Sequence, residues 1–330
     1  MDLIKALPKV ELHVHLEGAF SAARIVELAG KSGVPLPRPI DRFFEFDGLG
    51  EFLTLLDWWC GLVRTEEDAE LLAYDFARHL SADGIVYAEV ITNPTHWSGL
   101  PLEPLITAFG AGFGRAHAEG HTDCRLNLSI LRGQSAEEAL ELVEWMGSRR
   151  PDRVVGLSVD GNEAATGRTG ERFAPAYARA HELGFGLTAH AGESSGPEGV
   201  WDALDLLHVS RIDHGVRAAE DPELVRRLAD ERVTLNICLS SNLSLVYPAL
   251  REHPIGLLHK AGVPVTINTD DPLMLGVTLA GEMDMAAEHL GWDISDLAAA
   301  THRAVDAAFC SAEEKNRLHA AVIAFAGSLT

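Results

Sequence analysis

Two imidazoles, His13 and His15, stand two residues apart in the apolar segment VELHVHLEG, residues 10–18. In a strand, residues i and i+2 project from one face. The pair could therefore share a metal ion, or each could be an unrelated half-buried histidine. Three later segments bear on the choice: HAGE carries His190 and Glu193, DHG carries His214, and NTDDP carries Asp270 and Asp271. Gathered in one place, these ionisable groups would be very costly to desolvate unless something cationic offset them. A divalent metal does so. Three imidazoles and a carboxylate without thiolate suit zinc or another late first-row ion, whereas Mg2+ and Ca2+ prefer oxygen ligands. Ligands scattered so widely along a chain imply a catalytic rather than a structural centre. A metal of this kind lowers the pKa of its bound water to about 7. Glu193, His214 and Asp271 are then left over as acid, base and orienting acceptor. The residues read as metal-assisted attack by water, with a metal-binding barrel lacking turnover as the alternative.

These residues need a scaffold that brings distant segments together. Short β-branched or apolar runs recur at 10–16, 84–91, 124–131, 153–160, 186–193, 211–215, 233–239 and 264–270. Between them lie segments with helical spacing, such as EDAELLAYDFARHLSAD and SAEEALELVEWMGSR. Strand–helix alternation predicts a parallel sheet, and this many repeats predict an α/β fold of the closed (β/α)8 TIM-barrel type. An open doubly wound sheet would call for a Gly-rich phosphate loop after the first strand, and HLEGAF is not one. Each polar cluster falls at the C-terminal end of a predicted strand, the end at which such barrels do their chemistry. The stretches 17–83 and 271–330 exceed a single crossover and predict extra helices, including a lid. Residues 46–63 read as an amphipathic helix with mainly core aromatics. The whole chain, 1–330, reads as one barrel domain.

The bulk numbers exclude several partners. With 27 Lys+Arg against 49 Asp+Glu, a net charge of −22 repels nucleic acid and anionic membrane. No basic cluster sits beside the motifs to hold a phosphorylated substrate. Four cysteines without CxxC spacing suggest neither a disulfide framework nor a thiolate site. The N-terminus lacks a basic region followed by a long apolar run, so a cytoplasmic setting is expected. A homo-oligomer remains open. Histidines outside the motifs, His253 among them, read as surface or helix-end residues; His96, after the second strand in NPTHW, is placed to reach the pocket.

At these motifs the chain resembles the adenosine/adenine deaminase family of the amidohydrolase superfamily. The likeness runs from LPKVELHVHLEG through HAGE, RIDHG and NTDDP to the C-terminal helices. The other class of zinc deaminase uses H-x-E with P-C-x-x-C, which is absent. The resemblance implies one Zn2+ per subunit on His13, His15, His190 and Asp270, and attack of the activated water on C6 of a 6-aminopurine. Glu193 would protonate ring N1, and His214 would deprotonate or orient the water. Asp271 would hydrogen-bond the attacking oxygen and the N7 side. Gly161, in VDGNE, would bring its backbone N–H against N3. Ammonia and a 6-oxopurine would be the products.

The substrate signals divide. Glu17 stands where adenosine deaminases carry an Asp that contacts the ribose, and Ile91 stands where nucleoside deaminases carry Arg. NPTHWSG looks like the D-P-Q-T-H stretch of adenine deaminases. Gly161 and NTDDPLM look nucleoside-like. The reading that results is a small-molecule 6-aminopurine nucleoside first, adenine second, and a modified nucleoside such as 6-aminodeoxyfutalosine third. A non-catalytic purine-binding or interaction barrel is the alternative from another class; it predicts a broken ligand set, and none of the expected residues is missing.

Overall fold

The computed structural model describes residues 3–328. Its strands are β1 (Lys9–His15), β2 (Ile85–Thr92), β3 (Asp123–Leu131), β4 (Val154–Asp160), β5 (Gly186–Leu187), β6 (His190–Ala191), β7 (Arg211–His214), β8 (Thr234–Ile237) and β9 (Val265–Ile267). All neighbours pair in parallel, β1 through β5 in one run and β6 through β9 in another. β5 and β6 are the two ends of one stave. Thr188 N–H donates to Leu157 O across the gap, and Asp213 N–H donates to Ala189 O. The last stave closes on the first through a bridge between Val14 and Asp270. There His15 N–H donates to Asp270 O at 2.8 Å, and Asp270 N–H to His13 O at 3.2 Å. The result is the eight-staved α/β TIM barrel expected from the alternation.

Why the staves seat themselves this way follows from their residues. β-branched and aliphatic side chains alternate along them, and those that turn outward meet the helices. Val14, Val90, Leu128 and Val265 join one buried cluster with Leu72, Phe109, Phe173 and Leu258. Each side chain so buried contributes about 1.5–3 kcal/mol. A second cluster packs Val10, Leu12 and Tyr87 against Ala304, Val305 and Leu318 of the two C-terminal helices, Ile294–Ala307 and Ala312–Gly327, and against Ala308 between them. β1 carries an irregularity between Glu11 and Val14, where Leu12 N–H and His13 N–H both donate to Asn268 Oδ1. Such bulges re-aim side chains next to active sites.

The two long insertions fold as extra helices, as expected. The first includes Ala22–Ser32, Gly48–Cys60 and Glu66–Ala82; the second ends in the C-terminal pair. The helix Gly48–Cys60 keeps its aromatics in or against the core, as expected: Phe52 and Trp59 belong to the buried cluster and Trp58 packs against it. Trp59 is buried and its indole N–H donates to Glu17 O. Leu49, Phe52, Leu53 and Leu56, however, fall at i, i+3, i+4 and i+7 and wall the cavity at the barrel mouth. Among the described residues no helix is long and apolar enough to cross a membrane.

Candidate active site

The barrel brings the predicted cluster together. His13 and His15 end β1, His190 opens β6, and Asp270 follows β9. One ligand atom from each of the four lies within 4.8 Å of the others. Asp270 Oδ1 stands 3.1 Å from His13 Nε2 and 3.3 Å from His15 Nε2, and the Nε2 atoms of His15 and His190 are 3.0 Å apart. Those are the edges expected of nitrogens and oxygens held about 2.0–2.2 Å from one zinc-like ion. The group fits a cation in a further respect: His13 Nε2 is buried with no hydrogen-bond partner of its own. Burial opposes a charge on His13, yet the carboxylates of Asp270 and Asp213 raise its pKa to about 9. The surroundings thus demand positive charge at the centre of the cluster.

Two neighbouring imidazoles are pushed toward the neutral form. Burial, together with the neighbouring imidazoles, holds His190 well below its ordinary range and His214 at about 3. Asp270 is held well below the usual carboxylate range; burial pushes the other way, and the neighbouring histidines prevail. Beside it Asp271 is pushed well up by burial and by the charges of Asp270 and Glu17. Glu193 rises to about 8, through burial first and then the charges of Asp270 and Glu163. It is therefore a carboxylic acid at neutral pH, with Oε1 3.4 Å from His214 Nε2. His214 and Asp270 both adopt left-handed backbone, with φ of 65° and 67°. Such strain is uncommon outside glycine and clusters at functional sites.

Around this centre lies a shell that sequence reasoning missed. Asp213 sits between His13 Nδ1 (3.9 Å) and His190 Nδ1 (3.8 Å), and is itself held by Thr188 Oγ1 and Asn236 Nδ2. Carboxylates placed behind ligating histidines fix the ring that faces the metal. Ser241 donates to Asp270 Oδ2 at 2.6 Å. Glu163 accepts the backbone N–H groups of Gly192, Glu193 and Ser195, which pins the loop carrying Glu193. Arg132 donates to the His190 carbonyl and lies 3.9 Å from Glu163. The reading of His253 as a surface or helix-end residue is corrected. It is 4% exposed and bonded to Asn242, because the chain after Leu239–Leu245 folds back beneath His214. The D of DHG was a readable signal for Asp213; nothing local marks Asn242 or His253.

The centre forms the floor of a cavity that opens at the barrel mouth. Its walls include Glu17, His96, Asp160, Gly161, Asp271 and the stripe from Gly48–Cys60, and no Lys or Arg lines it. His96 does reach it, with Nδ1 2.6 Å from Asp57 Oδ1. Gly161 has φ +97°, a conformation other residues would hold only under strain. Glu17 is spoken for on one side. Its Oε1 accepts from Thr92 Oγ1, Asn93 N–H and Trp97 Nε1, while Oε2 is buried, unpartnered and 3.9 Å from His15 Nδ1.

Comparison with known proteins agrees with this geometry. The family profile described as adenosine deaminase matches residues 8–325. An adenine deaminase of Cupriavidus metallidurans is 39% identical over 315 residues, covering 93% of this chain and 88% of that protein. The crystal structure of an adenine deaminase from Arthrobacter aurescens superposes with a TM-score of 0.91 at 29% identity, covering 98% of this chain and 100% of that one. An amidohydrolase from Burkholderia ambifaria with bound zinc superposes with a TM-score of 0.90 at 32% identity, covering 99% and 93%. By its barrel, its gathered imidazoles and carboxylates, and these likenesses, the chain belongs to the adenosine deaminase family of hydrolytic deaminases.

Proposed function

We propose that this protein deaminates a 6-aminopurine by adding water at C6, with adenine as the free base the reading best supported. The observation that carries it is the juxtaposition of buried Glu193, its pKa raised by that burial, with the four-residue metal-type cluster in a cavity lined by neither Lys nor Arg. His13, His15, His190 and Asp270 would hold zinc, the metal bound in the Burkholderia ambifaria relative. Zinc, when bound, makes water acidic enough to react near neutral pH.

The chain's own residues do the rest. Glu193 gives its proton to ring N1 and so draws electrons away from C6. His214 orients the water and stabilises the charge that develops on its oxygen. Asp271 hydrogen-bonds that oxygen and the N7 side, and Gly161 lets its backbone approach N3. The water oxygen bonds to C6 and one water proton passes by way of the hydrogen-bonded Asp271 to the exocyclic nitrogen. The bond from C6 to that nitrogen breaks and ammonia leaves, N1 keeps the proton it received, and the remaining hydroxyl proton returns to Glu193 as the 6-oxo group forms.

Three things favour the free base. Relatives such as the Cupriavidus metallidurans protein carry that activity in their name. One oxygen of Glu17 is consumed by three protein donors rather than left for a sugar hydroxyl. The absence of Lys and Arg from the cavity wall disfavours a nucleotide phosphate. The nucleoside, adenosine or deoxyadenosine, is the second reading, favoured by the nucleoside-like Gly161 and NTDDPLM. The test is a parallel screen of adenine, adenosine, deoxyadenosine, AMP and 6-aminodeoxyfutalosine, following ultraviolet absorbance and ammonia release. Adenine is expected to show the highest kcat/KM. If none of the five releases ammonia, the proposal fails.

A further inference from the structure

A line of hydrogen bonds reaches His214 from behind, and its direction is set by a group that cannot reverse. Ile255 N–H donates to His253 Nδ1 at 3.2 Å. A backbone N–H offers only a proton, so Nδ1 of His253 must offer its lone pair. The ring proton of neutral His253 then sits on Nε2 and donates to Asn242 Oδ1 at 3.2 Å. The amide nitrogen of Asn242, 3.2 Å from His214 Nδ1, has only protons to give and donates to it. His214 Nδ1 is thereby an acceptor, and the ring proton of His214 is held on Nε2. That atom faces the reaction centre, 3.4 Å from Glu193 Oε1 and 3.9 Å from Asp270 Oδ2. Water has little access to break the line, because His214, Asn242 and His253 are 1%, 0% and 4% exposed.

We infer that Asn242 and His253 are positioning residues that lock His214 in the Nε2–H tautomer, so that His214 enters the reaction as a hydrogen-bond donor and not as a proton acceptor. Neither residue lines the cavity, so both act through His214. Burial holds His253 down at about 4, which keeps it neutral and the relay intact at physiological pH. The backbone supports the same arrangement: Asn242 N–H donates to Cys238 O, and its own carbonyl accepts from Val246 and Tyr247. The functional part of the inference rests on the deaminase reading above; the tautomer does not.

The experiment uses the metal-loaded enzyme in two arms. In the kinetic arm, Asn242→Leu and His253→Leu are expected to lower kcat roughly 10- to 100-fold, with KM and metal content unchanged. His253→Gln can accept from Ile255 N–H and donate to Asn242, and should recover most of the rate. Asn242→Asp can only accept, would draw the proton to Nδ1, and should be as poor as the leucine variants. In the spectroscopic arm, 15N-histidine labelling of the wild type reads the ring nitrogens of His214, assigned by their loss in His214→Asn. An Nε2–H pattern is expected in the wild type and in His253→Gln, and an Nδ1–H pattern in Asn242→Asp. An Nδ1–H ring in the wild type overturns the inference, as does wild-type kcat in the leucine variants or a rate gain in Asn242→Asp. Should the wild type deaminate no 6-aminopurine, the functional reading falls while the 15N pattern still decides the relay.

Discussion

Removing one negative charge beside the reacting groups, without removing any atom of the framework, separates a positioning role from a merely structural one. Glu163 is 4% exposed and takes three backbone N–H groups: Gly192 at 3.1 Å on Oε1, and Glu193 and Ser195 at 3.2 Å on Oε2. Glu163→Gln keeps the shape but has a single oxygen. Whichever way the amide turns, at least one loop N–H faces an NH2 group instead of an acceptor. A buried donor left unpaired costs about 1–3 kcal/mol, and each remaining bond loses the strength that the charge gave it. The sum is roughly 2–4 kcal/mol, or about 3–6 °C in Tm for a chain of this length. Because Glu193 rides on the freed loop, a displacement of about 1 Å should also lower kcat on the order of 100-fold. Metal content should hold, since Arg132 still ties the His190 carbonyl. Gly199→Ala provides a charge-neutral check: its Cβ would stand 2.0 Å from Glu163 Oε1 and push the carboxylate off the loop. Thermal unfolding, metal analysis and steady-state deamination measure the three quantities. Wild-type Tm and wild-type kcat in Glu163→Gln would refute the reasoning.

Further outcomes follow from the same geometry. Dialysis against a chelator should abolish deamination, and zinc should restore it; retained activity in metal-free protein would remove the basis of the site. Glu193→Gln should keep its metal and lose about 10²–10⁴-fold in kcat, since the amide has no acidic proton for N1; near-normal turnover would dismiss Glu193 as the donor. His253, held at about 4 in the fold against an ordinary 6.5, gives a signed pH dependence. Above pH 6.5 both folded and unfolded chains leave it neutral, and its stability is fully present. Below 6.5 the unfolded chain takes up the proton first, so stability drains as pH falls toward 4, by up to about 3 kcal/mol. Urea unfolding at pH 7 and pH 5 should show this loss in the wild type and a smaller one in His253→Gln; equal losses would contradict it.

What could be read from the sequence is what strands and strand ends write locally. The HVH spacing put two imidazoles on one face because a strand repeats every two residues. HAGE, DHG and NTDDP announced themselves as polar residues where a packed stave would have chosen aliphatics. Alternation of β-branched runs with helical segments predicted the closed barrel, and barrel closure brought His13, His15, His190 and Asp270 to one point. Tertiary structure alone decided the rest. Glu163 meets the HAGE loop, Asp213 stands between two imidazoles, and the Asn242–His253 pair backs His214 only because separate staves and the loops after them are folded against one another. The helix Gly48–Cys60 likewise looks amphipathic from either side, and only docking over the mouth showed that Leu49, Phe52, Leu53 and Leu56 wall the cavity. Periodicity tells which residues share a face. It does not tell which partner that face or that hydrogen-bonding group will meet, since that depends on loops distant in sequence settling into one packed arrangement.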